Sequence, residues 1–199
     1  MKSRRIFAAV SAALALQASA FAAETDPYPS TYKPLPSGPV LITNATILTG
    51  TGERLDKASL LMVDGEIAVV GTAGVTDPGG AKVIDAEGRW VTPGLIDVHS
   101  HLGVYASPGL VANSDGNEMT APVTAQVWAE HSIWPQDPGF SRALAGGITV
   151  MQILPGSANL IGGRAVTIKN VPSVSYQGMK FPGAPQGLKM ACGENPKRV

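Results

Sequence analysis

Two of the three histidines in this chain, His99 and His101, stand two residues apart at the end of the run Trp90-Val91-Thr92-Pro93-Gly94-Leu95-Ile96-Asp97-Val98-His99-Ser100-His101. Alternate side chains of an extended strand point to the same face. The spacing therefore predicts Asp97, His99 and His101 on one face, with Ile96, Val98 and Ser100 on the other. Two imidazoles side by side form a two-point chelate for a divalent metal such as zinc. Asp97, on the same face, is placed to orient one of them from behind. Imidazoles alone do not select among zinc, iron, nickel and manganese. The alternative for a bare His-x-His pair is two neutral surface or core side chains.

The elements around this pair have to hold it at the end of a strand. Pro93-Gly94 marks a turn just before the apolar run. Further on, Asp137 is a candidate N-cap and Pro138 suits a first helical turn. Phe140, Ala143 and Leu144 keep helical apolar spacing, and Gly146-Gly147 stops the helix. Ile148 to Leu154 is nearly all apolar, the pattern of a strand buried on both faces in a parallel sheet. Strand, helix and buried strand in succession make a βαβ rhythm and an α/β class. Pro155 to Gly163 reads as a glycine-rich loop. Its backbone N–H groups either cradle an anion or simply make turns, and it lacks the Lys-Ser/Thr of a nucleotide-binding P-loop. Leu188 to Cys192 is the next candidate strand, ended by Gly193-Glu194-Asn195-Pro196.

Composition narrows the class. The chain has 199 residues, zero formal net charge, 44% hydrophobic and 15% charged residues. That describes a globular protein without the charge bias of a nucleic-acid binder. The single cysteine, Cys192, excludes an internal disulfide and a four-cysteine zinc site. Lys2, Arg4 and Arg5 precede the short apolar run Ile6 to Leu16, and Ala20-Phe21-Ala22 offers a small-residue cleavage site. Residues 1–22 are thus expected to be a signal peptide, exporting the chain to a bacterial periplasm with no membrane attachment after cleavage. Residues 23–39, with five prolines between Pro27 and Pro39, read as an extended linker. Residues 40–90 read as short strands forming a small antiparallel β-domain. Asp64-Gly65 is a hairpin turn between two of them.

The histidine pair also sits within a longer pattern. Val91-Thr92-Pro93-Gly94-Leu95-Ile96-Asp97-Val98-His99-Ser100-His101 resembles the first barrel strand of the amidohydrolase superfamily of metal-dependent hydrolases. The segment Gly147-Ile148-Thr149-Val150 is similar to the second strand of that family. The glycine-rich loop and Gly187 to Val199 look most like the imidazolonepropionase-like members. The resemblance runs from about Val40 to Val199. It implies a small N-terminal β-sandwich-like domain (residues 40–90) followed by the first strands of an incomplete (β/α)8 TIM-type barrel (residues 91–199).

The resemblance also implies a function: hydrolysis of C–N bonds in a small amide or cyclic amide by a metal-activated water, with one or two divalent ions, zinc first among them. His99 and His101 would be metal ligands, with Asp97 behind them. Two-metal members add a bridging carboxylate, for which Glu194 is preferred over Lys189 because Glu194 follows its strand, where barrel ligands belong. Gly156, Ser157, Asn159, Gly162 and Gly163 would form a substrate loop. Leu102 to Gln136 would form another, with Asp115, Glu118 and His131 as its ionisable groups. The general-base aspartate is expected beyond Val199: a full barrel takes about 250 residues, so the chain is expected to be an N-terminal fragment that is inactive alone. Two rivals are a catalytically inactive exported remnant that binds metal weakly or not at all, and a one-metal deaminase of the same superfamily. Metal content separates the first, and metal number the second.

Overall fold

The computed structural model describes residues 26–199. The expected signal segment and the first three residues of the linker lie outside the described residues. The first sheet is built from β1 (Val40–Leu48), β2 (Arg54–Val63), β3 (Glu66–Gly71), β4 (Lys82–Asp85) and β5 (Trp90–Val91). Its order is β3-β2-β1-β4, with β5 also on β1. Asp64 and Gly65 have φ of 52° and 80°, the two positive values that a two-residue hairpin turn demands. The pairing is mixed rather than wholly antiparallel. β1 runs antiparallel to β2, but parallel to β4 and β5. Residues 72–81 carry the chain back across the sheet, so Lys82 enters beside Val40 in the same direction. Ala45, Ile47, Ala58, Leu60 and Ala86 form the buried cluster of this sheet.

The second sheet holds the candidate site. It consists of β6 (Leu95–Ser100), β7 (Ile148–Ile153), β8 (Ile161–Lys169) and β9 (Gly187–Met190), in that order across the sheet. Between β6 and β7 the chain passes through helix α1 (Pro138–Ala145), and the two strands are parallel, giving the expected βαβ unit. β8 runs antiparallel to both β7 and β9. A single helical turn, α2 (Tyr176–Met179), lies between β8 and β9. Met151 and Ile153 of β7, Val166 and Ile168 of β8, Phe140 of α1 and Met179 of α2 pack with Val104 and Ile133 into one core. Full burial of side chains of this size stabilises by roughly 1.5–3 kcal/mol each. The result is a curled half-barrel sheet with few helices.

Two sequence expectations change here. Gly162 and Gly163 belong to β8 and not to the preceding loop. They allow the strand to approach the Leu102–Gln136 segment closely: at Gly163 (φ 128°) a Cβ would lie 2.6 Å from the Val127 carbonyl oxygen. The Arg164 N–H donates to that same carbonyl at 2.7 Å. The Pro-rich segment, in turn, is more than a tether. Residues 26–39 carry no regular secondary structure, yet they are docked. Thr31 N–H donates to Gln177 O, Ser30 Oγ to Lys180 O, and Lys180 Nζ to Tyr28 O. Lys180 Nζ also lies 2.7 Å from both Asp26 and Glu130 carboxylates.

Candidate metal and substrate site

His99 and His101 stand at the end of β6 with ring centroids 5.1 Å apart, edge to face. The Nδ1 of His101 lies 2.8 Å from the carbonyl oxygen of Leu154. A carbonyl only accepts, so Nδ1 carries the proton and donates. In the neutral ring this leaves the Nε2 lone pair free for a metal, the usual division of labour in a ligating histidine. Burial pushes the His101 imidazole below its ordinary pKa, opposed by the Leu154 hydrogen bond and aided by the nearby Lys189 and His99. The orienting group is a backbone carbonyl just past β7.

Asp97 lies where β6 is irregular. Asp97 pairs with Met151 and Ser100 with Ile153, three steps on β6 against two on β7. This extra residue interrupts strict alternation between Asp97 and Ser100. The Asp97 carboxylate accepts the backbone N–H of His99 at 3.0 Å and so fixes the strand end, and its charge also acts on the His101 ring.

The two carboxylate-site candidates also separate. Lys189 is buried in β9, and its Nζ lies 3.3 Å from His99 Nε2. Desolvation pushes its amine below the ordinary lysine value, and no carboxylate pairs with it among the described residues. Glu194 is exposed and pairs with Lys197 at 2.6 Å. The structure thus brings Lys189, and not Glu194, to the histidine pair. The order of preference reverses because the curl of the sheet turns the middle of β9 inward, while Glu194 opens a surface turn. Among the described residues no three His, Cys, Asp or Glu side chains converge on one point.

Beside His101 lies a cavity of about 330 Å³, lined by Tyr105, Asn117, Met119, Gly156, Ser157 and Asn195 among others. Gly156 and Ser157 therefore share a cavity with His101. Asn159 supports them from behind: it is buried, and its Nδ2 donates to the carbonyls of Glu118 and Ala121. Gly162 and Gly163 shape β8 instead. Asp115, Glu118 and His131 line a separate cavity of about 300 Å³. His131 is stacked on Trp128 and edge-on to Tyr28 and Tyr176. Tyr105 and Asn117 have no counterpart in the sequence reading. They come from an irregular segment without periodicity, and only the folded chain brings them together.

Asp137 links this segment to the core. It caps α1 by accepting the Gly139 N–H at 2.8 Å. It also accepts the N–H groups of Gly103 at 2.8 Å and Ser107 at 3.1 Å. One buried carboxylate thus ties the start of the helix to the turn that follows His101.

No protein-family profile matches the chain. Amidohydrolase tasK of Hapsidospora irregularis is 43% identical over 131 residues, covering 61% of this chain and 13% of that protein. The D-hydantoinase of Geobacillus stearothermophilus is 52% identical over 62 residues, covering 31% of this chain and 12% of that protein. Among solved structures, an amidohydrolase from Thermotoga maritima superposes with a TM-score of 0.71 and 42% identity, over 80% of this chain and 40% of that one. The chain thus spans well under half the length of each of these proteins.

Proposed function

Over the portion it shares with these proteins the chain belongs to the amidohydrolase superfamily, and from there we propose that His99 and His101 hold a divalent metal, zinc first, for hydrolysis of a C–N bond in a small amide. One observation carries this reading: the His101 ring is fixed by Leu154 with its Nε2 lone pair free, next to a second imidazole and a buried lysine amine without a carboxylate partner among the described residues. That donor set fits a divalent metal. Nitrogen ligands suit zinc, and a lysine kept below its ordinary pKa is chemically available either as an amine or, after carboxylation, as an oxygen donor.

A divalent ion bound here would supply Lewis acidity toward a carbonyl and lower the pKa of a water. The chain's own groups do the rest. The Leu154 carbonyl holds the His101 tautomer, Asp97 fixes the strand end at the His99 N–H, and the cavity beside His101 receives the amide. The name D-hydantoinase, borne by one relative, supports a cyclic amide as the substrate class. Export belongs to the same proposal, supported by the basic start and apolar run of residues 2–16.

The test is the metal content of the purified chain by elemental analysis, beside His99→Ala and His101→Ala. One or two equivalents, lost in both variants, is the expected result. A parent chain without metal after zinc loading overturns the reading in favour of a non-catalytic exported module.

A further inference from the structure

The cavity beside His101 contains a side chain whose hydrogen-bond direction can be worked out from its neighbours. Tyr105 lies four residues past His101, in the turn where its N–H donates to the His101 carbonyl at 2.9 Å. Its ring meets the His101 ring edge-on at 5.6 Å. Two glycines press against it. A Cβ at Gly116 would overlap the Tyr105 ring at Cζ, and a Cβ at Gly156 would overlap its Oη. Those glycines are themselves joined, Gly156 N–H donating to Gly116 O at 2.7 Å. The phenol is thus held in place before any ligand arrives.

Its proton is directed as well. The Asn117 Oδ1 accepts the backbone N–H of Ala158 at 3.2 Å. A backbone N–H can only donate, which settles which end of the carboxamide faces Ala158. The other end, Nδ2, faces the Tyr105 hydroxyl and donates to it. A hydroxyl that accepts there keeps its own O–H to give elsewhere, and the side open to it is the cavity shared with His101. The cavity lining contains no Lys, Arg, Asp or Glu among the described residues. A carbonyl entering it meets the phenol as a directed donor.

We propose that Tyr105, aimed by Asn117, donates a hydrogen bond to a carbonyl oxygen of a cyclic amide bound beside His101. This rests on the amidohydrolase reading above and adds a substrate-binding residue to it. Tyr105 is the group that touches the ligand; Asn117 is a positioning residue.

The experiment uses the full chain after zinc loading, titrated with hydantoin. Tyr105→Phe removes only the hydroxyl. Asn117→Asp keeps the hydroxyl but replaces its donor with an acceptor, so that the phenol turns its proton toward residue 117. Each variant is expected to weaken hydantoin binding roughly three- to tenfold, with an unchanged melting temperature for Tyr105→Phe. Unchanged hydantoin affinity in Tyr105→Phe overturns the proposal. So does a parent chain that binds no hydantoin. Zinc content is read on the same samples. A zinc-free chain that still shows the Tyr105→Phe loss sinks the metal reading alone; a zinc-bound chain indifferent to Tyr105→Phe sinks the Tyr105 assignment alone.

Discussion

The Nζ of Lys189 on β9 lies 3.3 Å from the Nε2 of His99 on β6, which joins the two outermost strands of a four-stranded sheet. Three interstrand spacings of about 4.8 Å each separate such strands in a flat sheet. The contact therefore depends on the sheet's curl together with the reach of the lysine. A buried amine with no carboxylate beside it is costly to keep charged, and here it faces an imidazole.

The first prediction separates the two candidates for the third ligand. Lys189→Met keeps the apolar stem and removes the amine. It is expected to lower zinc affinity by about ten- to a hundredfold, the range seen when a group supporting a metal ligand is lost. Glu194→Gln is expected to leave zinc affinity unchanged, since Glu194 contacts Lys197 at the surface. Competition with a chromogenic chelator measures both. Equal losses in the two variants would remove Lys189 from the site.

Asp137 gives a prediction on stability. Asp137→Ala removes three backbone hydrogen bonds from a buried carboxylate. It is expected to cost about 3 kcal/mol in urea unfolding. Asp137→Asn, whose amide retains one acceptor, is expected to cost less. Loss of zinc affinity should accompany the alanine variant, because Gly103 follows His101 by two residues.

Gly163 is a backbone test. Alanine there would meet the Val127 carbonyl at 2.6 Å with φ at 128°. Both the contact and the dihedral oppose a side chain, for a cost of about 3 kcal/mol. Gly38, where a Cβ meets nothing within 4 Å, is the control, and Gly38→Ala is expected to lie within about 0.5 kcal/mol of the parent.

The ion cluster that docks the N-terminal segment predicts a pH dependence. Lys180 and Glu130 side chains are 7% and 2% exposed, and Glu130 Oε1 has no hydrogen-bond partner among the described residues. Removing one member leaves a buried charge behind, so Lys180→Met is expected to cost about 3–5 kcal/mol. Burial alone would lower the Lys180 pKa, but its bonds to Asp26 and Glu130 outweigh this and raise it. A folded value above the unfolded one stabilises below the unfolded pKa and is lost as pH rises through the folded one. The cluster's stabilisation is therefore expected to fade above about pH 10. Asp26 has the opposite sign. Desolvation opposes the shift, but Lys180 and the Tyr28 N–H hold Asp26 below its ordinary value, so its contribution is lost only in strong acid. Limited proteolysis of residues 26–32 across pH reads both limits.

Much of this protein is determined by local sequence. The positive φ values of Asp64-Gly65, the Asp137 cap, the Gly146-Gly147 stop and the apolar run of β7 are short-range effects, and they fix the hairpin and the βαβ unit without reference to the rest of the chain. The His99–His101 pair is legible for the same reason: a spacing of two on a strand end is a local property. What tertiary structure alone decided is which distant groups meet that pair. The extra residue in β6 interrupts its alternation, Asp97 bonds the backbone of His99, and the Leu154 carbonyl orients the His101 ring. The curl of the sheet delivers Lys189 in place of Glu194. Close backbone approach at Gly156 and Gly163, which a sequence reads only as glycine, seats Tyr105 and draws β8 onto the preceding segment. Each of these depends on contacts between residues tens of positions apart, and no periodicity along the chain encodes such contacts.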